Sequence, residues 1–222
     1  MNQDEVFSKA DAEQMISSMN DIVESSIKKF ETAHDTLITK LAANWADKFL
    51  VDDMGKYQKN LKGFASELNK NTQTFADLVK NVADGYAIVG GEKSSGVSSS
   101  IRKVSAEFSV DKIKESFSDG RKGLKATSAS TLLASIDAYK ATLKGIKAST
   151  KSEIKGILAF GNKNVQNKLG DAADKIIEIF SDHVEQSNKD VGNYFEKRIR
   201  QYVKMGNMAE SAAAKTAGSG GK

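Results

Sequence analysis

The chain has 222 residues, enough for one large domain or two small ones, and 39% of them are hydrophobic and 28% charged. The absence of cysteine excludes disulfides, thiolate catalysis and thiolate metal sites. Proline is absent as well, which favours long, uninterrupted helices. The net charge of +4 is uneven, because residues 1–90 carry 10 basic and 14 acidic residues, whereas residues 91–222 carry 23 and 15. Ordinary solvated surfaces explain this difference in charge. The alternatives are that the two halves attract each other or that the basic half binds an acidic partner.

Residues 1–89 predict a first helical hairpin. Apolar residues recur at helical spacing from about Asp4 to Phe49, and a second stripe follows. Between the stripes the spacing changes phase at residues 44–55, where Asp52 or Asp53 is available as the N-cap of the second helix. The two stripes are Met15, Met19, Ile22, Ile27, Phe30, Leu37 and Leu41, then Leu61, Phe64, Leu68, Phe75, Leu78, Val82 and Tyr86.

Residues 90–127 predict a linker. The Gly/Ser-rich run at 90–100 is typical of a flexible connection. Apolar spacing from Ile101 to Phe117 predicts one or two short helices, which Gly120 and Gly123 interrupt.

Residues 128–208 predict a second hairpin with its bend at 158–163, and residues 209–222 predict a disordered tail because they hold no large core residue. The fold class is therefore all-α, with two long antiparallel hairpins that are able to pack as a four-helix bundle. The two stripes are Leu132, Ile136, Tyr139, Leu143, Ile146, Ile154 and Ile157, then Leu169, Ala172, Ile176, Phe180, Val184, Val191, Tyr194, Ile199 and Tyr202.

The two hairpins overlay at an offset of 115 residues, which indicates a tandem repeat. Trp45 then matches Phe160, so an aromatic residue lies at each bend. An apolar-Gly pair follows nine residues later in both copies. The simplest role for the Trp45 ring is to plug the open end of the first hairpin together with Phe49 and Leu50.

The first hairpin resembles the W-x-G proteins, which are substrates of type VII secretion systems. The resemblance rests on a long amphipathic helix, a bend at Trp45-Ala46-Asp47 and a second helix with Tyr86 near its end. A weaker copy of this pattern surrounds Phe160-Gly161-Asn162. The family forms helical hairpins that dimerise as four-helix bundles, so a tandem copy corresponds to a fused dimer. The sequence departs from the family motif, because position 47 is Asp instead of Gly and position 160 is Phe instead of Trp.

The resemblance implies a secreted factor, or an adaptor for other exported proteins, that contacts the secretion machinery or another helical protein. A homo-oligomer or hetero-oligomer fits this role. Trp45, Phe49, Phe160 and Gly161 are the candidate tip contacts, and Tyr86 and Tyr202 the candidate export or partner contacts. The family's export signal, a Tyr followed four positions later by Asp or Glu, is not matched, because Gly90 and Gly206 occupy those positions.

The first residues are acidic and lack the pattern of a cleaved signal peptide, so we expect a cytoplasmic protein that reaches the cell surface or medium by another route. No apolar run is long enough to span a membrane, and membrane contact is not predicted.

No catalytic residue, cofactor site or metal site is predicted, and the chain is expected not to be an enzyme. His34 lies on the first apolar stripe and His183 beside the fourth, as core-edge histidines do. Lysines 140, 144, 147, 151 and 155 share one helical face. They predict a solvated surface and no specific binding of nucleic acid, although the same face suits an anionic membrane or the acidic first hairpin.

Two alternative functions remain open from the sequence. A membrane-active helical protein of the pore-forming type needs a long apolar hairpin, and the best candidate, residues 86–90, is short. A structural protein of a phage or another assembly has the same helical stripes.

Overall fold

A computed structural model describes residues 7–46, 49–106, 123–124 and 128–219. The protein is all-α, as predicted. The α-helices are α1 (Lys9–Ala42), α2 (Phe49–Val89), α3 (Ala129–Leu158), α4 (Lys163–Ser187) and α5 (Tyr194–Ser219), and a π-helical turn (Asn188–Asn193) joins the last two. Two short strands, β1 (Trp45–Ala46) and β2 (Gly123–Leu124), pair antiparallel with Trp45 opposite Leu124.

Helix α1 is shorter at both ends than the sequence predicts. It begins at Lys9 because Ser8 and Asp11 form a capping box, in which the Asp11 amide donates to Ser8 Oγ (3.1 Å) and the Ser8 amide to Asp11 Oδ2 (3.0 Å). It ends at Ala42, where the side-chain amide of Asn44 donates to the Lys40 carbonyl. The predicted end at Phe49 is therefore wrong.

Helix α2 begins earlier than predicted. Its first residue is Phe49, so Asp52 and Asp53 lie inside the helix and the prediction that one of them is the N-cap is wrong. The reason is that the apolar run at 49–51 joins the helix and leaves a connection of only residues 43–48.

The predicted apolar stripes form the core. Most of their members are less than a tenth exposed, and six are half-buried. The half-buried members are Ile22, Leu78, Tyr86, Ala172, Tyr194 and Tyr202. The fourth stripe is interrupted by the π-helical turn, which changes its phase and buries Phe195, a residue that the predicted stripe omits.

The Gly/Ser segment is not a free linker over its described part. Residues 94–106 contain no helix, and they pack through Val97 and Ala106, which are buried. The short helix predicted from Ile101 is therefore absent at 101–106, whereas 107–122 lie outside the described residues. At the other end, α5 continues to Ser219, so the tail predicted as disordered from 209 is helical over 209–219.

The chain divides into two compact units that do not coincide with the predicted hairpins. The first unit contains Met1–Glu31, Asn60–Glu107 and Lys144–Glu185. It packs α1, α2, α3 and α4 around Phe30, Phe64 and Phe180, whose ring centroids are 5.3–6.3 Å apart. A hydrogen bond of 2.7 Å between Ser26 and Thr150 lies in the same core.

The second unit contains Thr32–Lys59, Phe108–Leu143 and Gln186–Lys222. Its core brings together one polar residue from each of four helices, namely His34, Tyr57, Tyr139 and Ser187. Leu143, Val191 and Phe195 are fully buried in the same unit. Each unit thus takes helical segments from both predicted hairpins.

Candidate functional site

The structure brings Tyr86, near the end of α2, to the bend of the second hairpin. The Asn162 side-chain amide donates to the Tyr86 hydroxyl at 3.2 Å, and that of Asn164 approaches it at 3.4 Å. On its other side Tyr86 meets the Phe7 ring edge-on, with centroids 6.1 Å apart. Two of the predicted contact regions, 76 residues apart in sequence, therefore form one surface in the first unit.

The second bend has a specific local construction. Asn162 caps α4, because its Oδ1 accepts from the amides of Asn164 (3.1 Å) and Val165 (3.0 Å). Gly161 is buried beneath it, and a Cβ at this position would lie 2.6 Å from Val165 Cγ1 and 3.1 Å from Met15 Cε. Gly161 is thus a packing residue and does not itself present a contact surface.

Three large apolar side chains are exposed next to these residues. Ile88 is 61% exposed, Val89 72% and Phe160 57%. A cavity of about 880 Å³ is lined by Val89 among these three, and by residues that include Phe7, Tyr86, Asn162 and Lys163. Aromatic and aliphatic groups with a few polar groups are the composition of a protein contact surface. We call Tyr86, Val89 and Phe160 the Tyr86 surface, since Ile88 lies two residues after Tyr86 on the same helix and faces another way.

The remaining predicted contact side chains lie in the second unit or outside the described residues. The backbone of Trp45 belongs to β1 and Phe49 begins α2, but the side chains of both lie outside the described residues. Their predicted role as a plug stays a prediction. Tyr202 is half-buried on α5 in the second unit, whereas Tyr86 belongs to the first unit.

A buried polar cluster lies around His34 in the second unit. Tyr57 stacks on the imidazole with centroids 4.7 Å apart, and Tyr139 meets it edge-on at 5.2 Å. The Tyr139 hydroxyl lies 2.8 Å from His34 Nε2, the Tyr57 hydroxyl also contacts this nitrogen, and Tyr57 lies 3.1 Å from Ser187 Oγ. Burial raises the pKa of both phenols well above their usual range, so they stay protonated as hydrogen-bond donors.

The two histidines are thus core residues, buried more deeply than the core-edge positions that the sequence predicts. His34 is 1% exposed and His183 8% exposed, and the His183 ring stacks on Phe64 at 3.8 Å. Among the described residues, no group of three or more His, Cys, Asp or Glu side chains is arranged to hold a metal ion. Within the same described part, no helix is long and apolar enough to cross a membrane.

The basic face of α3 is partly used within the protein. Lys140 pairs with Glu196 at 2.7 Å in the second unit, and Lys147 pairs with Glu185 at 3.1 Å in the first. Both carboxylates lie after residue 160, so these pairs join the second half of the chain to itself. They do not join it to the acidic first hairpin.

Comparisons with known protein families, curated proteins and solved structures find no match. The candidate site therefore stands on its own geometry.

The feature that sequence reasoning missed is the way residues 95–106 are held, and we call this segment the strap. The Asn69 carboxamide forms two hydrogen bonds with Val104, donating to its carbonyl at 2.7 Å and accepting from its amide at 2.8 Å. Gln73 donates to the Ser99 carbonyl at 2.8 Å. Asn20 accepts from the Arg102 amide at 3.2 Å.

Charged side chains also hold the strap, at Ser95 and at Arg102. Asp84 accepts from the amide (2.8 Å) and hydroxyl (2.5 Å) of Ser95. Arg102 pairs with Asp21 and lies 3.7 Å from Glu24. A signal for this arrangement existed in the sequence, since Asn69 and Gln73 are four residues apart on α2 and Asn20 adjoins the apolar stripe of α1.

Proposed function

We propose that this protein is a non-enzymatic helical binding protein of the W-x-G kind, exported by a type VII secretion system or serving as an adaptor for exported proteins. The observation that carries the proposal is the Tyr86 surface. This surface joins Tyr86 near the end of α2 to the bend at Phe160, and it exposes two large apolar side chains, Val89 and Phe160.

Exposed apolar groups around a half-buried Tyr support a protein partner because burying them on association supplies the free energy of binding. The second bend also gives these groups a rigid support. Asn162 caps α4 and Gly161 packs against Val165, so Phe160 projects from a fixed turn.

Export is tested by expressing the tagged full-length chain in a Gram-positive host with an active type VII system. We expect the protein in the medium when the membrane-bound export ATPase is intact and only inside the cells when that ATPase is inactivated. A cytoplasmic enzyme serves as the marker of cell lysis. Retention of the chain in both strains, or its release in both, would overturn the export part of the proposal.

The role of the Tyr86 surface is tested with matched serine variants in the same host. Phe160→Ser and Val89→Ser are expected to lower export or partner capture by about tenfold, because each removes an apolar anchor from the contact. Met205→Ser is the control, since Met205 is 55% exposed but belongs to the second unit. Equal effects of the three substitutions would show that partner contact does not depend on this surface.

A further inference from the structure

The strap is held mainly through its own backbone. Asn69, Gln73, Asn20 and Asp84 together bind main-chain groups of four strap residues: Val104, Ser99, Arg102 and Ser95. Such contacts are independent of the side chains that the strap carries. A paired amide contact like that of Asn69 reproduces the hydrogen bonds that an adjacent β-strand would offer.

The order of the contacts shows that the strap is extended and antiparallel to α2. Asp84 binds Ser95, Gln73 binds Ser99 and Asn69 binds Val104. Residue numbers therefore increase along the strap in the direction in which they decrease along α2. The 15 residues from Asn69 to Asp84 span roughly 22 Å of helix, and the strap covers this distance in nine residues. The resulting rise of about 2.5 Å per residue exceeds that of an α-helix and approaches that of a strand.

We call the surface of α1 and α2 that the strap covers the groove, and its polar residues include Asn20, Asn69, Gln73 and Asp84. The groove selects side chains at only a few positions of the strap. Val97 and Ala106 are buried, and Ile101 and Val104 are half-buried. Arg102 adds one cation that pairs with Asp21 and Glu24 of α1. The groove thus accepts small or β-branched residues at four positions and a basic residue at one, whereas the serines between them face outward or are half-exposed.

We propose that this groove is a binding site for an extended segment of a partner polypeptide, which the strap occupies in the free protein. The Asn20 carboxamide supports this use, since it is 94% buried and is directed at the backbone of the bound segment. The partner segment would carry the strap's pattern, with small or β-branched residues at the positions of Val97, Ile101, Val104 and Ala106 and a cation at that of Arg102. The proposal does not require that the chain be secreted.

The probe is a fluorescein-labelled peptide with the sequence of residues 94–106, and its binding is followed by fluorescence anisotropy. The full-length double variant Val97→Asp/Ala106→Asp loosens the strap and leaves every groove residue unchanged. We expect saturable binding to this variant and at least about tenfold weaker binding to the wild type, whose own strap competes at high effective concentration. Binding of equal strength to both proteins would overturn the proposal.

The contribution of the groove is isolated by a second substitution in the loosened variant. Asn69→Ala removes the paired hydrogen bonds and is expected to weaken peptide binding by at least about tenfold. Asn71→Ala is the matched control, because Asn71 lies on the same helix but donates to the Glu67 carbonyl of its own turn. Equal binding by the Asn69 and Asn71 variants would contradict the proposal.

The proposal stays testable if the Val97→Asp/Ala106→Asp variant fails to fold. Circular dichroism checks helix content, and the milder pair Val97→Ser/Arg102→Ser replaces the aspartates if helicity falls. Absence of peptide binding to a folded, loosened variant would overturn the proposal.

Discussion

Gly161 illustrates how a single residue determines the geometry of the second bend. A methyl group at this position would lie 2.6 Å from Val165 Cγ1, which is closer than van der Waals contact allows. Val165 is fully buried in the first turn of α4, so it has little room to move. The bend must therefore open if Gly161 acquires a side chain, and Phe160 would then be displaced from the Tyr86 surface.

We predict that Gly161→Ala destabilises the protein by about 1–3 kcal/mol, the usual cost of overpacking a core. Urea denaturation followed by circular dichroism measures this change. Gly156→Ala is the matched control, because Gly156 is an exposed residue within α3 with nothing within 4 Å of the added Cβ. Helix propensity predicts that the control is stabilised by roughly 0.5–1 kcal/mol. A Gly161 variant as stable as the wild type would show that the bend relaxes freely.

The cluster around His34 is a second case in which individual residues decide the packing. A histidine, two tyrosines and a serine are buried together, and hydrogen bonds join His34 Nε2, the two tyrosine hydroxyls and the Ser187 hydroxyl. This arrangement satisfies groups that would otherwise destabilise the core. The sequence indicated that His34 lies at the edge of the core, but its partners Tyr57 and Tyr139 are 23 and 105 residues away and no periodicity identifies them.

Among the elements, the strap depends most clearly on charge. The Lys80 ammonium and the hydroxyl and amide of Ser95 hold the pKa of Asp84 at about 2, below its ordinary value of 3.8. A folded-state pKa below the unfolded value means that the carboxylate stabilises the folded protein above about pH 4. This stabilisation is lost as the pH falls through 2.

We therefore predict that Asp84→Asn lowers the melting temperature at pH 7 and that its difference from the wild type shrinks towards zero near pH 2. Thermal melts of both proteins over this pH range measure the effect. Asp84 is half-buried and in contact with solvent, so the direction of the change is the informative quantity. A difference that stays constant from pH 7 to pH 2 would show that the ionised carboxylate does not anchor the strap.

The elements differ in how well the sequence predicts them. The long helices were predictable because their stripes, such as Leu61, Phe64 and Leu68, repeat at helical spacing and are buried. The strap was not predicted, because its Ser and Gly residues carry no periodic signal. The carboxamides of α1 and α2 were a signal, but they do not identify the segment that they bind. The π-helical turn was missed for another reason, since one extra residue per turn shifts the stripe without changing its composition.

At the scale of the molecule, the sequence predicts consecutive hairpins whereas the structure contains two units that each combine segments of both. Helical periodicity identifies which face of a helix is buried, but it does not identify the helix that covers it. The pairing of Tyr86 with Asn162 is a consequence of this tertiary packing. The candidate site was therefore predictable only in part: Tyr86, Phe160 and Gly161 were identified, but their proximity was not.

The charge of the whole chain leads to a further prediction about nucleic acid. Of the five lysines on the basic face of α3, Lys140 and Lys147 pair with carboxylates, whereas Lys144, Lys151 and Lys155 are exposed. Contact of about three lysines with phosphates predicts a slope of roughly −2.7 for log K against log salt. Raising the salt from about 50 to 200 mM should then weaken binding by roughly 40-fold.

Fluorescence anisotropy with two unrelated 20-base-pair duplexes tests this prediction. We expect weak binding of equal strength to both duplexes, and we expect Lys144→Glu/Lys151→Glu to abolish it. The control is the double variant Asp171→Lys/Asp174→Lys on α4. It changes the net charge of the chain by the same amount in the opposite direction and leaves α3 unchanged. A preference for one duplex, or binding that resists salt, would show base recognition, for which neither the exposed lysines nor the Tyr86 surface provides the chemistry.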